Sequence, residues 1–317
     1  MSMFIDNLIE KIKEKKSHVV VGLDPDYGNL PKHLKKNTAN NLTDISEAIF
    51  EFNKKIIDAV YGLVPAIKPQ IAFYERYGID GINAFIKTVK YGKEKGLIVI
   101  EDAKRNDIGS TAIAYSEGHI GRVEISGQKI PVFDVDAITI NPYLGSDGVL
   151  PFIDDVQHYK KGIFVLVKTS NNSSVELQDI KVTHNGETYK LYEVVAKLVH
   201  EWGKTVIGKY GYSSVGAVVG ATFPKDAEIL RKLMPNTYFL VPGYGAQGGR
   251  AEDVVSSFRK DGFGALISAS RSINFAYKYN NKFNEQQFAD ASREAVITMN
   301  KEINESLRKN NLLNWHL

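Results

Sequence analysis

The segment Ile100-Glu-Asp-Ala-Lys-Arg-Asn-Asp-Ile-Gly-Ser-Thr111 carries the sharpest chemical signal in the chain. An apolar run ends near Asp102. If a strand ends there, the period of two points Asp102 and Lys104 the same way. Asp107 follows Lys104 at i+3, close to one helical turn on. One lysine is thereby expected between two carboxylates, which favour its charged form. That argues against a Schiff-base amine, which must give up its proton readily. A fixed ammonium suits other chemistry, since it can stabilise a developing carbanion and then protonate it. The competing reading of the same spacing is a structural ion-pair network at a strand end.

Further polar residues fall where other apolar runs stop. They are Asp24 after the first run, Lys68 in the second, and Lys168, Thr169 and Ser170 at the fifth. After the seventh comes Pro242-Gly-Tyr-Gly-Ala-Gln247-Gly-Gly249, and after the eighth Ser270 and Arg271. Gly243, Gly245, Gly248 and Gly249 would let the backbone approach a ligand with its N–H groups exposed, and Arg271 offers a bidentate fork. Together these predict a small-anion site. Gly243-Tyr-Gly245-Ala-Gln-Gly248 also matches G-x-G-x-x-G, but a dinucleotide site wants an acid at the end of the next strand. Here Ser270-Arg271 stands in that place.

The elements that must position these groups are short, β-branched and apolar. The runs are His18–Leu23, Val64–Pro69, Leu97–Asp102, Ala137–Ile140, Ile163–Lys168, Val215–Gly220, Thr237–Val241 and Ala265–Ser270. They are near-continuous rather than alternating, as strands buried on both faces are. Helix-period segments lie between them, for example Ile45–Val60, Gly81–Lys95, Glu193–Lys204 and Lys225–Met234. This alternation predicts an α/β fold, a (β/α)8 TIM barrel, with a doubly wound open sheet as the alternative. In a barrel the strand ends just named build the active site, and the loops after strands seven and eight often hold a phosphate. Arg122–Val132 and Ile180–Leu191 each read as an inserted hairpin, the second with an Asn185-Gly186 turn. Met1–Lys16 reads as an amphipathic helix with Phe4, Leu8, Ile9 and Ile12 on one face, and Asn284–Leu317 as terminal helix. The expected organisation is one barrel domain over 1–317.

Composition narrows the function classes. The 317 residues carry 40 Lys and Arg against 37 Asp and Glu, a net +3. That is too small a balance for a nucleic-acid binder, yet it permits a local anion pocket. There is no cysteine, so disulfides, thiolate metal sites and a cysteine nucleophile are excluded. The 7 histidines show no H-x3-H or H-E-x-x-H pattern, so no metal is expected. No stretch approaches about 18 consecutive apolar residues, so no membrane span is expected, and the expected location is the cytoplasm.

These residues resemble the orotidine 5'-phosphate decarboxylase family, in particular its longer bacterial subgroup. The matching segments are GLDPD at Gly22–Asp26, AIKPQIAFYERYG at Ala66–Gly78, EDAKRNDIGST at Glu101–Thr111 and NPYLGSD at Asn141–Asp147. They continue with VLVKTSN at Val165–Asn171, VGATFP at Val219–Pro224, LVPGYGAQGG at Leu240–Gly249 and SASRSI at Ser268–Ile273. The chain departs from that subgroup at Asn106, where glycine is common, and at Asn172, where proline is usual.

The resemblance implies a (β/α)8 barrel that converts orotidine 5'-phosphate to UMP and carbon dioxide, the last step of de novo UMP synthesis, without a cofactor. It implies that Lys104 protonates C6 of the pyrimidine and that Asp102 lies beside the substrate carboxylate. Lys68 and Asp24 would contact the ribose, and Ser170 would read the pyrimidine edge. Gln247 and Arg271 would grip the phosphate while Pro242 and the glycine loop close over it. It further implies a homodimer in which Asp107, Ile108 and Thr111 reach the neighbouring subunit's site. Two rivals stand beside it. One is a Mg²⁺-dependent sugar-phosphate decarboxylase or aldolase of the same barrel superfamily, against which the V-K-T-S-N segment argues. The other is a nucleotide-binding protein without chemistry.

Overall fold

The structure, a computed structural model, describes residues 2–35, 41–184, 186–245, 247–313 and 315. Eight parallel strands close into a barrel, each paired with its neighbours in chain order and the last with the first. They are β1 (Val19–Leu23), β2 (Ala66–Pro69), β3 (Ile98–Arg105), β4 (Ala137–Ile140), β5 (Gly162–Lys168), β6 (Ser213–Val219), β7 (Thr237–Val241) and β8 (Ala265–Ala269). The chain is thus the expected (β/α)8 barrel, and the open-sheet alternative is set aside by the β1–β8 pairing of Val19 with Ile267.

Continuous apolar runs form these strands because both faces are covered. Val19, Val21 and Leu23 pack outward against the helices, while Val20 points inward with Ala66, Ile98, Ile100, Phe164 and Leu266. The inner cluster also takes in helix Phe4–Lys15, whose Phe4, Ile5, Leu8, Ile9 and Ile12 are all buried. Each such side chain contributes about 2 kcal/mol of burial. Phe4 sits edge-on to Phe164 and fills the space where Gly162, at the start of β5, lacks a side chain. The helix therefore closes the N-terminal end of the barrel, opposite the strand ends that carry polar residues.

Helices Leu42–Val60, Gly78–Glu94, Leu191–Trp202 and Pro224–Leu233 lie where the 3.6-residue period places them, with ends shifted by a few residues. Both hairpins are present: Val123–Ile125 with Gln128–Ile130, and Lys181–His184 with Glu187–Lys190. The first precedes β4. The second follows β5, on the side of the barrel where the strand ends carry polar residues. Gly186 has φ +82°, as a two-residue hairpin turn requires, and Asn185 lies outside the described residues. Helix Phe288–Lys309 packs on helix Leu42–Val60. Among the described residues no helix is long and apolar enough to cross a membrane.

One strand departs from the expected pattern. The apolar run predicts an end at Asp102, but β3 continues to Arg105. Glu101 pairs with Ile138 and Arg105 with Ile140, so Asp102, Ala103 and Lys104 together stand opposite Thr139 alone. This is a bulge, and Lys104 within it has φ +52°.

Candidate active site

A cavity of about 860 Å³ opens among the C-terminal strand ends. Asp24, Lys68, Asp102, Lys104, Ser170, Pro242, Gln247 and Arg271 all line it. The fold therefore gathers the residues picked out at separate strand ends into one place.

Its centre is Asp102. Lys68 Nζ donates to Asp102 Oδ2 at 2.7 Å, and the Lys104 ammonium holds the other oxygen, Oδ1. Lys68 is 5% exposed, whereas 44% of the Lys104 side chain is exposed in the cavity. Burial pushes the Asp102 carboxyl up, but the charges and hydrogen bonds of the two lysines outweigh it. The net result lies well below the usual carboxylate range. Burial pulls Lys68 down, yet Asp102 and Asp24 together raise it above an ordinary lysine. Burial pushes the Asp24 carboxyl above its ordinary range. The Lys68 charge and a hydrogen bond from Ser270 oppose that without cancelling it.

The bulge brings these groups together. Glu101 turns away from the cavity, where its Oε2 lies 2.7 Å from His119 Nδ1 under full burial. Asp102 turns inward. The positive φ of Lys104 costs a non-glycine residue about 1–2 kcal/mol, and it re-aims the side chain onto Asp102. Thr139 Oγ1 accepts from the N–H groups of Ala103 and Lys104, each at 3.0 Å, and donates to Asp102 Oδ1 at 3.1 Å. Close approaches elsewhere depend on glycine. A Cβ on Gly22 would meet Ser270 Oγ at 1.9 Å, and one on Gly220 would meet the Ser170 backbone at 2.8 Å.

Three expectations are corrected. Lys104 is not between two carboxylates within one chain: Asp107 lies beyond the bulge, outside the cavity lining, and its Oδ1 accepts from the Ile108 N–H at 2.7 Å. Ile108 and Thr111 are exposed and also lie outside that lining. Lys168 does not enter the cavity. It is fully buried, paired with Asp179, and its Nζ lies 4.5 Å from the Phe223 ring centre. Three of the four loop glycines do not present open N–H groups. Gly245, Gly248 and Gly249 donate within the loop to Gly249, Gly245 and Gly243. Gly243, Gly245 and Gly248 have positive φ, so their role is the turn itself. The side chains of Gln247 and Arg271 line the cavity beside this turn.

The spacing of charges missed several lining residues. Thr139 is the one polar residue in the run AITI, which is the only signal it leaves. Gln178 accepts from the Thr169 N–H at 3.0 Å and donates to Thr169 Oγ1 at 2.8 Å, so it fixes the loop next to Ser170. It lies in an insertion with no periodic pattern. Tyr244 OH donates to Glu302 Oε2 at 2.5 Å and ties the glycine loop to helix Phe288–Lys309. Among the described residues no group of three or more His, Asp or Glu is placed to hold a metal ion.

The chain matches the family model described as Orotidine 5'-phosphate decarboxylase / HUMPS family over residues 17–282. The orotidine 5'-phosphate decarboxylase of Caldicellulosiruptor bescii is 46% identical over 282 residues, covering 88% of this chain and 91% of that one. Among solved structures, the chain is similar to Leishmania donovani OMP decarboxylase, with a TM-score of 0.70 and 31% identity over 95% of this chain and 100% of that one. It is also similar to Leishmania donovani UMP synthase, with a TM-score of 0.73 and 31% identity. That match covers 96% of this chain but 57% of the synthase.

Proposed function

The chain belongs to the orotidine 5'-phosphate decarboxylase family of carboxy-lyases, and on that premise we propose that it converts orotidine 5'-phosphate to UMP without a cofactor, the Lys104 ammonium stabilising and then protonating the C6 carbanion. One observation carries the reading. Asp102 is held between two ammonium groups, one buried and fixed and the other open to the cavity.

The bond from C6 to the carboxylate breaks with its electron pair left on C6, and carbon dioxide departs. A proton passes from Lys104 Nζ to C6, and the amine regains one from solvent. No carbonyl or metal delocalises that pair, so stabilisation comes from a positive charge already in place in a water-poor site. Asp102 lies beside the departing carboxylate, and loss of carbon dioxide relieves their repulsion. Lys68 and Asp24 contact the ribose, and Ser170 meets the pyrimidine edge. Gln247 and Arg271 hold the phosphate as Pro242 and the glycine loop close over it. Phosphate binding energy thereby acts at the distant reacting carbon.

The working unit in this reading is a homodimer. Ile108, Ile113, Tyr143, Leu144 and Leu150 are large apolar residues exposed on helix Gly109–His119 and the elements packed against it. A patch of that kind marks a protein–protein surface. Asp107, Ile108 and Thr111 lie on it and would enter the partner's site. The reading also places the protein in the cytoplasm, because a substrate bearing phosphate and carboxylate charges does not cross a bilayer unaided.

The test is the loss of orotidylate absorbance in the presence of EDTA. Turnover that survives chelation is expected. Turnover that EDTA abolishes would favour a Mg²⁺-dependent relative and contradict this reading.

A further inference from the structure

We propose that Thr139 is a positioning residue for this reaction, its single hydroxyl setting the β3 bulge that aims the Lys104 ammonium. The proposal rests on the role given to Lys104 above. Thr139 is 1% exposed. Its hydroxyl accepts from the N–H groups of Ala103 and Lys104 and donates to Asp102 Oδ1. A hydroxyl has one proton and two lone pairs, so these three bonds use its full capacity. Nothing is left over for a substrate, and Thr139 therefore acts through its neighbours.

The register explains why a hydroxyl is needed at this position. In an unbroken parallel ladder, strand N–H groups donate to carbonyls of the adjacent strand. The bulge sets three β3 residues against one on β4 and removes those partners. Buried N–H groups without partners are costly, and the Thr139 oxygen takes up two of them. The same oxygen fixes Asp102 Oδ1, the atom that also holds the Lys104 ammonium. One side chain thus sets both the backbone of the proposed proton donor and the carboxylate that orients it. Lys104 keeps its positive φ, and such conformations persist only where the surroundings over-determine them.

The experiment compares Thr139→Val and Thr139→Ser with the unmodified protein, alone and in a Lys104→Ala background. Valine keeps the shape and removes the hydroxyl. Thr139→Val is expected to lower kcat about 100-fold while KM for orotidylate shifts less than about threefold, since misplacement by about an ångström is felt in the chemical step. Thr139→Ser is expected to return kcat to within about fivefold of the unmodified protein, because the hydroxyl is restored. In the Lys104→Ala background, Thr139→Val is expected to change kcat by less than about threefold, as residues acting as a unit are not additive. A purely structural threonine would lower both backgrounds alike and would be insensitive to the serine rescue. Thr139→Ala carries the same expectations should the valine variant not fold.

The proposal is overturned if Thr139→Val keeps kcat near that of the unmodified protein, if serine rescues no better than valine, or if the loss is equal in both backgrounds. A Lys104→Ala enzyme that keeps kcat within tenfold is a separate result: it removes the lysine assignment itself.

Discussion

Lys68 and Asp102 form an ion pair with Nζ 2.7 Å from Oδ2, and only 6% and 14% of the two side chains is exposed. A pair so far withdrawn from water is not dispensable scaffolding, since removing Lys68 leaves Asp102 with only the half-exposed Lys104 and takes the main compensating charge from the buried Asp24. Lys68→Met should cost about 3–5 kcal/mol of stability in urea unfolding at neutral pH. A loss below about 1 kcal/mol would place the pair in the weak surface class and contradict its burial. The pair itself should be insensitive to pH over a wide span. The Asp102 contribution is complete above the ordinary aspartate value of 3.8 and fades only as pH falls through its lowered value. The Lys68 contribution is complete below 10.5 and fades only as pH rises through its raised one.

Acid sensitivity should arise at the other end of the barrel. His18, at the start of β1, is fully enclosed, stacked on Trp315 at 5.0 Å and set edge-on to Phe258 at 4.8 Å. Burial lowers it from 6.5 to about 3, and neither ring nitrogen has a hydrogen-bond partner. Above pH 6.5 both folded and unfolded chains keep it neutral. Below that, only the unfolded chain takes up the proton, so stability is lost progressively down to pH about 3. Between pH 7.5 and 5.0 this amounts to about 2 kcal/mol. Urea unfolding at the two values should show that loss in the unmodified protein and a smaller one in His18→Phe. Equal losses would mean that the ring is solvated or already charged in the fold.

The placement of Asp107 outside its own cavity makes a prediction about two chains. Asp107→Ala and Lys104→Ala should each be nearly inactive alone. Mixed under conditions that exchange subunits, they should regain roughly a quarter of normal activity, because half the dimers are mixed and one of the two sites in each is intact. No recovery, in a mixture shown by mass to contain heterodimers, would contradict the cross-subunit aspartate.

The eight strands were legible because strands buried on both faces must be apolar throughout, as β1 and β2 are, and because helices with a clear apolar face lie between them. The convergence of Asp24, Lys68, Asp102, Lys104 and Arg271 followed from the barrel alone, since all lie at C-terminal strand ends. The bulge was not legible. Nothing in Asp102-Ala-Lys104 marks a positive φ, which is imposed by pairing with β4. The same gap put Asp107 on the wrong side of Lys104 and left Thr139 unnoticed. Lys168 was misread for a related reason. Its partner Asp179 lies in an insertion, and burial through a contact of that kind leaves no local signature. The N–H groups of the glycine loop were misjudged because composition shows that a backbone can bend there but not which carbonyls it then meets.

The most direct test of the whole account is kcat of Lys104→Ala with saturating orotidylate, measured alongside UMP affinity. A fall of at least about 10³-fold is expected, with UMP affinity altered far less, because a preorganised charge and proton donor act on the transition state rather than on the product. A loss smaller than tenfold would contradict the central role of Lys104.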